Sequence, residues 1–308
     1  MIYPAPGKTS IGYPNATTKQ HFQSVFNSLK LFVIGVESIS EENGVEQRNW
    51  YLVEKVGGFG ASQKWSQIAY SAHKSGLSSE IVELAKKISF SIRTSSLRLR
   101  DISFEYHRQL ADAIIGEKEQ SRVFSNVKIF DLYMAIHSAL VEMCSARDYL
   151  AQFISEHILR ISRCSTMAKL AQKLNSILSD EKVILQIREA YHSSSPNPWM
   201  AKLGRYRNLI VHQAPIANFS ERFIRLLPSS KFLMTFLGIP KNPMTAKERE
   251  IRMPSKLPSG DFVDALTEIR SLLAELCYFA NLAADASGIK PEIPTITDEH
   301  LFPAQSNK

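Results

Sequence analysis

The chain has 308 residues, 44% of them apolar and 22% charged, with a formal net charge of +7. That length buries a full hydrophobic core without disulfide or metal staples, and the composition argues against a disordered or fibrous chain. The positive balance favours a polyanionic partner, because lysines and arginines that neutralise phosphates release counterions. Three widely spaced cysteines, Cys144, Cys164 and Cys277, make no C-x-x-C pair and fit a reducing compartment rather than a disulfide framework.

Residues 1–18 read as an irregular arm. Pro4, Pro6 and Gly7 stand where a signal peptide needs an apolar run. The apolar stretch 29–36 contains Lys30 and falls short of a membrane span. The expected location is cytoplasmic, without a membrane partner. Helical periodicity starts near Lys19, with Phe22, Val25, Phe26, Leu29, Phe32 and Val33 at spacings of three and four. A short helix is expected over 50–56, stopping at Gly57-Gly58. Gly57-Gly58-Phe59-Gly60 lacks the Lys-Ser/Thr of a phosphate loop and reads as an interhelix turn. Ser78-Ser79-Glu80 is a cap signal for a helical pattern running from Ile81 to Ile115, as one helix or two end to end. Gly116 and the polar run after it form the best break between two units.

Ser125 or Asn126 is placed to cap a second long helix, with Ile129, Leu132, Tyr133, Ile136, Leu140, Met143, Leu150, Phe153 and Ile154 on its apolar face. Shorter helices are expected over 166–178 and 180–192, followed by a Ser/Pro loop over 193–198. A further helix spans 199–213 and ends before Pro215. Residues 223–227 and 232–237 fit two short strands. A basic, Pro-rich loop over 241–256 carries Glu248 and Glu250 among its cations and reads as solvated. The last helix covers 261–286, and a tail follows Gly288.

One segment carries chemistry: Gly204-Arg205-Tyr206-Arg207-Asn208-Leu209-Ile210-Val211-His212-Gln213. At helical spacing Leu203, Tyr206 and Ile210 share a face that meets the core. Asn208 and His212 lie together on the opposite side with Arg205. Arg207 falls at the edge of the apolar stripe and needs an acidic or carbonyl partner, for which Glu142 and Asp148 on the long preceding helix are candidates. Histidine titrates near neutrality and serves as proton donor or acceptor. Arginine offers phosphate a fixed fork of donors, and asparagine orients either group without adding charge.

The run Arg207-Asn208-x3-His212 resembles the motif of the HEPN superfamily, in which Arg is followed by a polar residue, three variable residues and His. The resemblance covers about residues 120–290. It implies an all-α fold, a HEPN-like helical bundle over 119–290. Residues 1–118 then form a helical N-terminal module, the two strands leave room for a small β-hairpin after the motif helix, and 291–308 is a flexible tail. It also implies a metal-independent endoribonuclease acting on RNA as a homodimer, with a composite site at the two-fold interface and no cofactor. Arg207, Asn208 and His212 would be catalytic, with Glu142, Asp148 and Arg205 in support. A toxin or antiphage-defence setting, with an antitoxin or defence-system partner, follows by family association. Glu142 with Arg147 is a loose version of a second family pattern, and Ala146 stands where its basic residue is expected. His107, His137 and His157 have no Cys or carboxylate at metal-ligand spacing, so no metal site is expected. Two other readings fit the same residues: a non-catalytic HEPN module that binds RNA or nucleotide, and a helical scaffold protein whose motif arose by chance.

Overall fold

A computed structural model describes residues 35–42, 45–52, 58–116, 123–177, 179–192, 195, 197–212, 224–229, 232–243 and 262–293. The expected helix near 19–33 and the basic loop beyond 243 lie outside them. Among the described residues seven α-helices dominate: α1 (Gly58–Lys74), α2 (Ser79–Ile115), α3 (Ile129–Phe153), α4 (Met167–Leu174), α5 (Lys182–Tyr191), α6 (Trp199–His212) and α7 (Ala265–Ala286). Three small antiparallel sheets accompany them. They pair β1 (Gly35–Glu42) with β2 (Val45–Leu52), β4 (Ile224–Ser229) with both β3 (Val123–Phe124) and β5 (Phe232–Phe236), and β6 (Gly238–Pro240) with β7 (Phe262–Asp264).

Helices α2 and α3 form a long antiparallel hairpin. Its closed end is set by reciprocal amide bonds, Gln109 Nε2 to Asn126 Oδ1 at 3.1 Å and Asn126 Nδ2 to Gln109 Oε1 at 2.8 Å. Its far end brings Lys87 over the ring of Tyr149. Asn126 is thus used against α2 rather than as a helix cap. The cap position of α3 is Lys128, without a side-chain cap bond. Ser78 stands at the cap position of α2, again without a side-chain bond, and α2 is a single helix of 37 residues. Packing against α3 outweighs missing caps in a helix this long.

Two expectations are corrected at the start of the described region. Residues 50–52 belong to β2, not to a helix, in register with β1 through Glu37↔Trp50 and Gly35↔Leu52. Gly58-Phe59-Gly60 is the first turn of α1 rather than a turn between helices.

One hydrophobic core runs through α1, α2, α3, α4, α5, α6 and α7. Trp65 of α1 is fully buried, packs edge-to-face on Phe153 at 4.8 Å and donates its indole N–H to the Ala280 carbonyl at 3.0 Å. The break after Gly116 therefore divides the chain but not the core: α1 and α2 pack with the helices that follow it. The stretch Ile129–Ile158 is, among the described residues, the one helix long and apolar enough to cross a membrane, and half of its most apolar window is buried inside the protein. It includes a single π turn, Ile154–Ile158, where α3 ends. All three cysteines are unpaired and buried.

Strands β6 and β7 position the last helix. Asp264 ends β7 and caps α7, accepting from the Thr267 N–H at 2.9 Å. The same carboxylate accepts from the Tyr106 hydroxyl at 2.7 Å, which ties α2 to the start of α7. Burial first, then the Asp264 charge, holds the Tyr106 phenol well above its ordinary pKa.

Candidate functional site

Helix α6 carries the motif. Trp199, Met200, Leu203, Tyr206, Leu209 and Ile210 are buried, at the three- and four-residue spacing of one helix face. Arg205, Asn208 and Val211 are exposed on the other side. The helix ends on His212, whose side chain lies outside the described residues.

The buried face is fixed by polar bonds as well as by packing. The Tyr206 hydroxyl donates to the Pro240 carbonyl of β6. Burial, then the Glu268 charge, raises the Tyr206 phenol well above its ordinary pKa, so this donor keeps its proton. Lys202 pairs with Glu268 of α7. The Cys144 thiol of α3 lies 3.6 Å from the Leu203 carbonyl, and burial pushes that thiol up to about 11.

The contact between α3 and α6 turns on Arg147 and Asp148. Neighbours in sequence do not face each other on a helix, yet the long Arg147 side chain folds back. Its Nε and Nη2 donate to Asp148 Oδ1 at 3.1 and 2.9 Å. Its Nη1 donates to the Met200 carbonyl in the first turn of α6, at 3.2 Å. Gly204 makes room for this: a Cβ there would sit 3.0 Å from Arg147 Nη1. Burial works against the Arg147 charge, but the acidic groups Cys144, Asp148 and Tyr191 outweigh it and hold the pKa above the usual arginine value. The Tyr191 phenol is raised, by burial above all.

Asp148 has further partners. Its Oδ1 accepts from the Met167 N–H at 3.2 Å, at the start of α4. Its Oδ2 lies 3.9 Å from Arg207 Nη1. That distance makes an ion pair but not a hydrogen bond. The Arg207 side chain is 40% exposed, against 4% for Arg147.

The structure therefore brings Arg207 to Asp148 and sets Arg205 and Asn208 on the exposed side of the same helix. It does not bring Glu142 there. Glu142 faces α2 and lines a cleft with Lys87 and Tyr149. Arg147, weighed in the sequence as a basic partner of Glu142, is instead a buried clamp between α3 and α6. The sequence signal for that clamp is Gly204, a glycine inside a helical pattern, which marks a close approach.

What the arrangement offers chemically is one guanidinium held loosely beside a carboxylate, one exposed carboxamide, and a histidine at the end of the same helix. No known protein family, curated protein or solved structure matches the chain.

Proposed function

We propose that the chain is a metal-independent endoribonuclease of HEPN type, with Arg207, Asn208 and His212 as its reacting groups. One observation carries the reading most. The inner face of α6 is locked to the core, while Arg207 stays half-exposed on a 3.9 Å ion pair and Asn208 is open to solvent. Arg207 and Asn208 are thus displayed rather than consumed by packing.

Cleavage of this kind needs three things. A base takes the proton of the ribose 2′-OH as its oxygen bonds phosphorus. An acid returns a proton to the leaving 5′-oxygen as the P–O bond breaks. Positive charge meets the phosphoryl oxygens meanwhile. Arg207 is suited to the last task, because its loose hold on Asp148 lets the guanidinium fork exchange a carboxylate for a phosphate. His212 closes α6, where the helix dipole favours an imidazolium and hence an acid. Asn208, one turn before it, orients the imidazole or a phosphate oxygen. Each chain supplies one such histidine. A two-fold homodimer presenting the outer face of α6 twice would supply both proton-transfer groups and a symmetric, cationic cleft. A toxin or antiphage-defence effector is the setting that the resemblance suggests.

The test is cleavage of a mixed RNA substrate by the purified chain in excess EDTA. The expected products end in 2′,3′-cyclic phosphate. His212→Ala and Arg207→Ala should each remove the activity while helical circular dichroism is unchanged. Wild-type rates from the His212→Ala chain, or 3′-hydroxyl ends, overturn the assignment. Sedimentation showing only monomer at the working concentration overturns the dimer.

A further inference from the structure

The cleft that holds Glu142 lies between α2 and α3, is open to solvent, and has a volume of about 360 Å³. That volume falls within the range of small-ligand sites, about 300–1,000 Å³. Its two walls differ in charge. On α2, Lys86 and Lys87 are exposed, and the Phe90 ring stands 67% exposed beside them. On α3, Glu142 and Ser145 face them, two turns and one turn before Tyr149, whose ring lies 5.8 Å from Lys87 Nζ. Phe90 is a large apolar ring left in solvent at the mouth of this cleft, and the helix hairpin around it needs no such residue there.

A ligand that matches these walls has an anionic end for the lysines, a flat π-face for Phe90, and paired hydrogen-bond donors for the carboxylate. We propose that this cleft is a nucleotide subsite selective for guanine, taken either free or as an unpaired residue of an RNA strand. An ionised carboxylate only accepts hydrogen bonds. The pairing edge of guanine sets two N–H donors side by side, whereas that edge of adenine places a bare ring nitrogen against the carboxylate. Unpaired bases stack on aromatic rings and are read along this edge, and lysines track the phosphates. Lys86 is now held by Glu83 at 2.8 Å, but that is a solvent-exposed pair, which a phosphate displaces at little cost.

The subsite deepens the ribonuclease reading, and its link to cleavage rests on that reading. Tyr149 follows Asp148 directly, about 100° further round α3. The cleft and the Asp148–Arg207 pair therefore lie on adjacent sides of the same turn. A strand with one base in the cleft would run on round α3 toward this pair, and on the ribonuclease reading cleavage would then fall near a guanine.

The experiment uses the full chain. Labelled RNA pentamers UUGUU and UUAUU, 2′-O-methylated so that the attacking hydroxyl is absent, are titrated by fluorescence anisotropy. Free GMP and AMP are titrated by calorimetry. Preferential binding of UUGUU with weak GMP identifies an RNA residue as the ligand, and the reverse identifies the free nucleotide. Phe90→Ala should weaken binding about fivefold or more, the lower end of what stacking one base contributes. Glu142→Gln should erase the preference for guanine over adenine, lowering the affinity for guanine and raising that for adenine, because a carboxamide offers one acceptor and one donor. The subsite is overturned if neither probe binds, or if binding is indifferent to both substitutions. These readouts need no catalysis. If the Arg207 and His212 variants still cleave RNA while Phe90→Ala weakens binding, the ribonuclease assignment falls and the subsite stands.

Discussion

Two arginines share one carboxylate, and they do opposite things. Arg147 is 4% exposed, gives Asp148 two hydrogen bonds and spends its third donor on a backbone carbonyl of α6. Arg207 is 40% exposed and approaches the same carboxylate no closer than 3.9 Å. Residue type and charge are identical, so the difference lies in desolvation. A buried guanidinium must be fully satisfied or the fold suffers. A half-solvated one can leave its partner at little cost and remains available to a ligand. The inner arginine belongs to the architecture of the α3–α6 contact, and the outer one is free for chemistry.

The largest effect should come from breaking the inner pair. Arg147→Ala leaves the half-buried Asp148 without its main partner, removes the bond to the Met200 carbonyl and opens a void beside Gly204. About 3–5 kcal/mol of stability should be lost, as when one member of a buried pair is removed. Denaturant titration measures it through a lowered midpoint. Arg147→Met, which refills the volume without a charge, should recover part of the loss. An Arg147→Ala chain within about 1 kcal/mol of wild type, the range of an exposed ion pair, would put the two arginines in the same class after all.

The comparison also marks how far the sequence could be read. The orientation of α6 was legible because Leu203, Tyr206 and Ile210 recur at helical spacing, and all three are buried. The partner of Arg207 was legible only down to two acids. Glu142 and Asp148 lie six residues apart on α3, so they point to different sides, and which side meets α6 depends on the rotation of α3 in the bundle. The folding back of Arg147 onto its own neighbour breaks the spacing rule and was not foreseeable from it. The β1–β2 hairpin was missed because its strands carry no clean apolar alternation. Its sequence signal is the Asn43-Gly44 dipeptide, a strong hairpin signal, between Glu42 and Val45, which are paired. Strand β7 occupies the start of the helix expected over 261–286, since three residues are too few to show a period of two.

A smaller effect should follow at Gly204. In an exposed helix, Gly→Ala gains about 0.5–1 kcal/mol. Here the new Cβ meets Arg147 Nη1 at 3.0 Å, and that group is pinned on both sides. Overpacking of this kind costs about 1–3 kcal/mol, so Gly204→Ala should be destabilising by about 1 kcal/mol net. The sign should reverse when Arg147 is already alanine, since the clash is gone and the helix gain remains. A double-mutant cycle isolates that coupling. Equal effects of Gly204→Ala in both backgrounds would show that the glycine does not serve the clamp.

The smallest stability effect should be that of Arg207→Ala, and it separates the two arginines most sharply. The lost ion pair is long, solvent-screened and made by a flexible side chain, so removing it should cost about 0–1 kcal/mol. Asp148 keeps its bonds from Arg147 and the Met167 N–H, so the carboxylate is not orphaned. What remains of the difference should shrink further between low and high salt, because an exposed pair is screened within about 10 Å at 0.1 M ionic strength, whereas the deficit of Arg147→Ala should persist. If the proposed chemistry is right, Arg207→Ala nevertheless loses RNA cleavage, which puts its large effect and its small one in different assays. Measured together, unfolding midpoint and cleavage rate place each variant on one side or the other. An Arg207→Ala chain that loses as much stability as Arg147→Ala would mean that Arg207 is a second structural clamp, and its loss of cleavage would then say nothing about catalysis.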